Sequence, residues 1–519
     1  MPDVVVLIDA DTVPRSSTIA TDVCIVGAGP AGMVVAHDLI GSGREVVVLE
    51  SGRRQWDPGT QALAEGGVTG EPFRFNGVDL TLSNTRMRQF GGSSNHWTGQ
   101  CRPLDPHDFD ARAATGGIGW PFAIDVLEPW YRRAGETLQL LSPEWSEAWW
   151  REATGGAGLT TGDAVRQVVF QFSPPTRFGE HLGPALDAAT DVRTYLGANA
   201  LELVADRDGS RVRSIRVATL SGNAFTVEAS TVVLATGGVD VPRLLLASTS
   251  ASPLGLGNGN DLVGRFFMEH PHAIGGRALV TASSEDLAPY LIAPRTLADG
   301  TTGLTWTGLA PAPDVQDAMG ATNGCVLLWA EGEGPPRGER DADAGPTDAV
   351  RALLGGGPTP PTPLTMAIRT EQAPNPDSRV VLGTDLDELG LPRAEVRWVL
   401  TDADRRALRG TVEAVGESLG ASGLGRIEID PGGRPIEQWP IEIGNHHMGT
   451  TRMHRDPAQG VVDADGRMHE VTNVYVCGSA VFPTSGMANP TLTIVALAHR
   501  LAAHLRGEEA SIVAGGATP

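Results

Sequence analysis

Positive charge is scarce in this sequence of 519 residues: 40 Lys and Arg stand against 62 Asp and Glu, for a formal net charge of −22. Together with a pI near 4.9, that balance argues against nucleic acid or an anionic membrane surface as a partner. Cysteine is scarce too. Cys24, Cys101, Cys325 and Cys477 are scattered singly, which suggests neither a disulfide framework nor a clustered-thiolate metal site and fits a reducing cytoplasm. Long apolar runs are missing: MPDVVVLIDADTVPRSS at the N-terminus carries acids instead of a basic region, its apolar run is too short for a signal peptide, and no later stretch reaches membrane-spanning length. The expectation is a soluble cytoplasmic protein. No G-x-S-x-G elbow follows a strand, so a serine hydrolase is not favoured. His270 and His272 form H-x-H without further ligands at a familiar spacing, and no metal is expected. The length implies at least two domains.

What is present centres on Asp22 to Gly52. The apolar run Val23 to Val26 reads as a buried parallel strand, and Gly27, Gly29 and Gly32 then spell G-x-G-x-x-G as the chain turns into a helix. Gly27 permits the tight turn, Gly29 lets a pyrophosphate approach the backbone, and Gly32 lets helix and strand pack closely. The helix N-terminus adds free N–H groups and a positive dipole end. Gly43 ends the helix, and Glu45 to Leu49 forms a second strand closing on Glu50. A carboxylate there can accept hydrogen bonds from ribose hydroxyls and disfavours a 2′-phosphate. Gly27, Gly29, Pro30, Ala31, Gly32, Glu50 and Ser51 are the first candidate cofactor contacts.

Further along, Arg53 to Arg88 reads as loop with short strands. It leads into QFGGSSNHWTGQ, where Gly91 and Gly92 allow close backbone approach and Ser94, Asn95, His96 and Trp97 could lie against a flavin ring. Asp125 is a candidate N-cap for an amphipathic helix through Leu127, Trp130, Tyr131 and Ala134. Trp145, Trp149 and Trp150 read as core. Thr231 to Ala235 is a strand running into Thr236, Gly237 and Gly238, which returns the chain to the nucleotide sheet. The stretch from His272 to Ile441 alternates short strands (Gly303 to Leu309, Cys325 to Ala330, Thr365 to Arg369, Ala394 to Val399) with one helix, Asp402 to Leu419. It resembles an antiparallel sheet backed by a helix. Glu331 to Asp348 and Gly355 to Pro363 read as exposed loops, the former able to cover an interface or a pocket.

Near the C-terminus, GNHHMGTTRMH is followed by the strand Val474 to Cys477, a turn at Gly478, Ser479 and Ala480, and a helix opened by Asn489, Pro490 and Thr491. His446 or His447 and Asn489 would thus reach the ligand-facing edge of the sheet, where a neutral imidazole can take a proton from an alcohol and an amide can position the hydroxyl. GLGNGN at Gly255 lacks a preceding strand and GASGLG at Gly420 follows a helix. With no second dinucleotide fingerprint, FAD is favoured over NAD.

Taken together, VGAGPAGMVVAHDLIGSGREVVVLESG (Val26 to Gly52), FGGSSNHWTG (Phe90 to Gly99), LATGGVDVPRLLLAS (Leu234 to Ser248), LVGRFFMEHPH (Leu262 to His272) and the stretch from His446 to Ala498 resemble the glucose-methanol-choline (GMC) flavoprotein oxidoreductases. The resemblance implies an α/β fold: a Rossmann-like FAD-binding domain assembled from 1–110, 190–271 and 441–519, and a substrate domain with an antiparallel sheet from 111–189 and 272–440. It implies alcohol oxidation by hydride transfer to flavin N5, with His446 of H-x-x-G-T as base and Asn489 as the second catalytic position. NHW and ANPT are similar to pyranose oxidases and bacterial glycoside 3-oxidases, which points to a secondary hydroxyl of a sugar or glycoside. By the same likeness His96 is a candidate for covalent flavin attachment, although Asn95 replaces the threonine of S-T-H-W. A dehydrogenase of a non-sugar alcohol or natural-product intermediate is the alternative, ahead of a redox-silent lyase or a flavin-binding partner protein. Oxygen, a quinone or a redox protein would accept the electrons, and oligomeric state is open. His446 is expected neutral near its ordinary pKa of about 6.5, with its protonated form or the dipole of the helix beginning near Asn489 facing flavin N1.

Overall fold

The computed structural model describes residues 7–153, 155, 158–330, 362–429 and 435–508. The loop expected at Glu331 to Asp348 lies outside the described residues, as does 355–361 of the glycine-proline tract.

In the first eight-stranded sheet, Leu7–Asp9, Val192–Leu196, Val46–Glu50, Thr18–Val26 and Ala224–Leu234 lie side by side and run parallel. Val212–Ala218 and Asn199–Ala205 continue it antiparallel beyond the start of Ala224–Leu234, while Val474–Val476 pairs parallel with its end. Val23 to Val26 and the whole of Val46–Glu50 are buried, which is why these strands read as unbroken apolar runs and not as alternation. The helices Pro30–Asp38 and Thr491–Arg506 contact each other and share one buried cluster with this sheet.

The second sheet, also of eight strands, is antiparallel in the order Gly425–Glu428, His272–Val280, Thr362–Thr370, Gly324–Ala330, Thr302–Pro311, Val165–Phe172, Gln100–Cys101, with Ala293–Thr296 on Thr302–Pro311. Helix Asp402–Ala421 backs it, contributing Leu408, Val412, Val415 and Leu419 to the same core. Thr401 and Asp404 close its first turn reciprocally as a capping box. The chain therefore adopts the expected mixed α/β architecture.

Some segments fall elsewhere than expected. The strand around Ala394 to Val399 is Pro392–Trp398, and it joins Arg379–Leu386 and Gly66–Gly70 in a separate three-stranded sheet. Helix Glu128–Thr137 and the stretch from Phe178 to Ala189 pack in the cluster of the nucleotide sheet, through Trp130, Tyr131, Phe178 and Leu186. Asp125 caps no α-helix: it sits inside a short 3-10 turn and accepts from its neighbour's N–H, Val126, because the α-helix starts later, at Glu128. Among the described residues no helix is long and apolar enough to cross a membrane.

Candidate active site

A cavity of about 720 Å³ opens where the parallel strands end, bounded there by Val26, Leu49, Glu50, Ala235 and Cys477. That is the carboxyl edge at which sheets of this kind bind ligands. Gly27 has φ 101°, and a Cβ on it would stand 2.8 Å from the Ala235 carbonyl oxygen; only glycine fits this turn. Gly29 differs. A Cβ there would find only the Cα of Gly92, at 3.9 Å, so this backbone faces open cavity of the kind a diphosphate would fill. Glu50 is buried and accepts from the N–H of Ala28 at 2.7 Å and of Gly52 at 2.6 Å. Arg88 donates to the Ser51 hydroxyl at 3.0 Å.

Most of the expected cofactor contacts line this one cavity: Gly27, Gly29, Pro30, Ala31, Glu50 and Ser51 from the first unit; Gly92, Ser94, His96 and Trp97 from the second; Ala235, Thr236 and Gly237 from the third; Gly478, Ser479, Asn489, Pro490 and Thr491 from the last. Gly32, Gly91 and Asn95 are not among its walls. Gly32 serves packing, since a Cβ would meet the Gly27 carbonyl oxygen at 1.9 Å. Gly91, at φ 97°, turns the loop and ties it to the glycine turn through its N–H to Ala28 O, at 2.9 Å. Asn95 points its amide back into the loop, donating to Phe90 O and Gly92 O at 3.0 Å each.

The far side of the cavity carries His446 and Asn489. Antiparallel pairing delivers His446: Met268 and Met448 exchange both backbone hydrogen bonds at 3.0 Å, and His272 and Glu442 exchange theirs at 2.9 and 2.8 Å. Between these two pairs the register slips, Asn445 adopts φ 58°, and His270 meets His446 with 2.9 Å between their Nδ1 atoms. The backbone donors left over in the slip, Gly444 and His270, go to Glu269 Oε2 at 3.2 Å each. Asn489 places its amide nitrogen 3.3 Å from His446 Nε2, while its oxygen accepts from Arg369 at 2.6 Å. Arg369 also donates to Gln100 at 3.0 Å. His447, the neighbour, stacks on Phe73, with Nε2 3.5 Å from Glu269 Oε1.

Burial sets the charge state of this cluster. Loss of solvation, reinforced by His270, Arg369 and the nearby histidines, holds His446 well below the usual histidine range, so it is neutral but not near 6.5 as the sequence suggested. At rest, then, His446 carries no positive charge to face the cofactor, and it becomes cationic only by taking a proton. Burial and then Arg369 depress His270 to about 3; burial and then Arg86 depress His447 to about 3. Glu269 moves the other way, pushed up to about 8 by burial against its backbone donors. Asp240, also on the cavity wall, is raised by burial but held well below the carboxylate range by Arg86, Arg88 and Arg243.

Sequence reasoning missed Arg369, His270, Gln100 and the Arg86, Arg88 and Asp240 group. Arg369 left one signal: a charged residue in the strand TMAIRT, where an apolar or neutral one is the rule. His270 left only its H-x-H, read above in terms of metal.

With this geometry in hand, comparison with known proteins is informative. Residues 374–498 match the family model described as GMC oxidoreductase, and residues 20–143 match an FAD binding domain. The 6'''-hydroxyparomomycin C oxidase of Streptomyces lividus is 28% identical across 96% of this chain and 94% of its own length. The 2-methyl-1,2-propanediol dehydrogenase of Mycolicibacterium austroafricanum is 24% identical, covering 96% of this chain and 97% of the relative. A C-glycoside 3-oxidase of Microbacterium trichothecenolyticum is 25% identical over 89% and 82%. Among solved structures, pyridoxine 4-oxidase superposes with a TM-score of 0.58 at 19% identity, covering 94% of this chain and 99% of that one, a likeness of fold.

Proposed function

The chain belongs to the GMC oxidoreductase family, as an FAD-dependent enzyme acting on alcohol groups, and from that premise we propose that it oxidises a secondary hydroxyl of a sugar or glycoside with His446 as base and Asn489 as its hydroxyl-positioning partner. The observation that carries this reading is convergence: His446 Nε2 and the Asn489 amide stand 3.3 Å apart on the wall of the same cavity that the glycine turn opens onto.

The residues present fit FAD. Gly29 leaves room for a diphosphate against the start of helix Pro30–Asp38, Glu50 and Ser51 lie where a ribose would be bound, and Gly92, Ser94, His96 and Trp97 together with Gly478, Ser479, Asn489, Pro490 and Thr491 border the remaining length. Bound FAD supplies the acceptor for the hydride that leaves the alcohol carbon. His446 Nε2 takes the hydroxyl proton, which must depart as the carbon is oxidised. Asn489 donates to the substrate oxygen, and Arg369, buried and fixed on Gln100, keeps its amide from turning over. Burial keeps His446 unprotonated at neutral pH and so ready to accept. Base catalysis of this kind contributes roughly 10² to 10⁴ in rate.

The sugar reading draws on the named activities of the aminoglycoside and C-glycoside oxidases above and on an aromatic wall, Trp306 against Trp329 with ring centroids 4.2 Å apart, of the sort on which a sugar face stacks. A second reading, a dehydrogenase of a non-sugar alcohol using a quinone or redox protein, draws on Phe172, Ile292 and Leu327 beside that wall and on the diol dehydrogenase relative. Four buried free thiols suit a cytoplasmic setting for either. Anaerobic mixing of the yellow protein with sugars, glycosides, sterols and simple alcohols separates them. Bleaching by a sugar or glycoside supports the first reading, bleaching by non-sugar alcohols alone supports the second, and no bleaching by any alcohol removes both. Readmitting air then tells an oxidase from a dehydrogenase.

A further inference from the structure

The hydrogen bonds around His446 leave no freedom in where protons sit. A guanidinium only donates, so the Asn489 atom facing Arg369 at 2.6 Å is the amide oxygen, and the atom facing His446 Nε2 is the amide NH₂. The NH₂ group only donates as well. Neutral His446 must therefore accept at Nε2 and carry its proton on Nδ1, which lies 2.9 Å from His270 Nδ1. His270 accepts there, holds its own proton on Nε2, and points it at the Ser485 carbonyl oxygen, 3.4 Å away. The rings meet edge to face, with centroids 4.9 Å apart.

We infer that His270 is a positioning residue for the proposed alcohol oxidation: its Nδ1 lone pair holds His446 in the Nδ1–H tautomer, so that the Nε2 lone pair faces the cavity. This rests on the assignment of His446 as base. Without His270 the Nδ1–H tautomer loses its acceptor and is held only by the longer contact from the Asn489 NH₂ at 3.3 Å, so the Nε2–H tautomer, which predominates for histidine in water and presents a donor to the substrate hydroxyl and no base, gains population. His270 also accepts a stronger, charge-assisted hydrogen bond once His446 has taken the proton at Nε2. No proton leaves His446 in that step; the charge stays on its ring. The groups facing His270 are Arg369, His272, His446 and its neighbour Glu269, and burial beside Arg369 keeps His270 itself neutral, with its pKa lowered to about 3. It is thus an acceptor throughout the working pH range.

The test compares His270→Leu, which removes the acceptor, with His270→Asn, whose Oδ1 stands the same number of bonds from Cβ as Nδ1 does. In protein labelled with ¹⁵N-histidine, long-range ¹H–¹⁵N correlations report each ring's tautomer, and the His446 signals are identified by their loss in His446→Ala. Expected are an Nδ1–H tautomer for His446 in the wild type and in His270→Asn, and a mixed or Nε2–H tautomer in His270→Leu. With methyl glucoside as the probe alcohol, anaerobic bleaching should slow about 10- to 100-fold in His270→Leu at unchanged substrate Kd, as expected for one charge-assisted hydrogen bond, and recover most of the loss in His270→Asn. An Nε2–H tautomer in the wild type, an unchanged tautomer in His270→Leu, or equal slowing in both variants overturns the inference. Should His270→Leu fail to fold, the wild-type and His270→Asn tautomers still decide it. If the tautomers behave as stated but His446→Ala bleaches at the wild-type rate, the base assignment fails and the hydrogen-bond chain stands as structure only.

Discussion

Substituting alanine for each of two glycines in the same turn separates cofactor cradle from packing. Gly29 caps the helix with φ −77° and ψ −175°, a conformation open to any L-residue, and its added Cβ would touch only Gly92 Cα at 3.9 Å. The apoprotein of Gly29→Ala should fold as the wild type does, and even gain about 0.4–1 kcal/mol because alanine restricts the unfolded chain. FAD has to lay its diphosphate against this backbone, and a methyl group in an otherwise fitted contact costs about 1–3 kcal/mol. That is FAD binding weakened about 5- to 150-fold. Gly32→Ala is the opposite case: its Cβ would lie 1.9 Å from the Gly27 carbonyl oxygen, and since backbone has to move, the expected loss is at least about 3 kcal/mol of stability. Fluorescence titration of apoprotein with FAD and thermal melting of apo- and holoprotein measure the two effects. Refutation would be Gly29→Ala binding FAD within about twofold of the wild type, or Gly32→Ala melting where the wild type does.

Other substitutions probe the cluster around the base. Arg369→Lys keeps the charge but loses the planar fork that reaches Asn489 and Gln100; bleaching should slow by about 10- to 100-fold, with Asn489 no longer held, and an unaffected rate would show that a point charge suffices. Glu269 is raised from its unfolded value of 4.5 to about 8, so the folded state holds a proton that the unfolded state has released, and stability falls as pH rises through that window. Glu269→Gln should therefore flatten the decline in Tm between about pH 5 and 8; melting curves with the wild-type slope would contradict the assignment. Burial raises Cys325 to about 11 and Cys477 to about 12, and Cys24 and Cys101 are equally buried. A thiol reagent at neutral pH should label none of them until the protein unfolds, and rapid labelling of the native protein would be the contrary result.

How much of this was legible in the sequence depends on how local the cause is. The glycine turn is fixed by sterics within a few residues: Gly27 must take a positive φ and Gly32 must leave the Gly27 carbonyl its space, so type and order alone announce the strand, turn and helix. The acid at Glu50 is legible because it closes the short buried strand that follows the glycine turn and helix. Arg369 and His270 have no such signature. Arg369 reaches the site because it lies opposite His272 in one strand pair and opposite Cys325 in the other, and His270 because of a register slip between 268–272 and 442–448. Partners so distant along the chain meet through pairing that the sequence does not spell out. The strength of burial was equally hidden. An isolated histidine reads as titrating near its ordinary value, and only the packed surroundings of Phe73, Phe267 and Arg369 show that the histidines here stay neutral.

The most direct measurement is anaerobic single-turnover bleaching of the wild type and His446→Ala by one and the same alcohol, chosen as any that bleaches the wild type. The expected result is a rate about 10² to 10⁴ lower in the variant with FAD still bound. A variant bleached within about tenfold of the wild-type rate would contradict the assignment of His446 as the base.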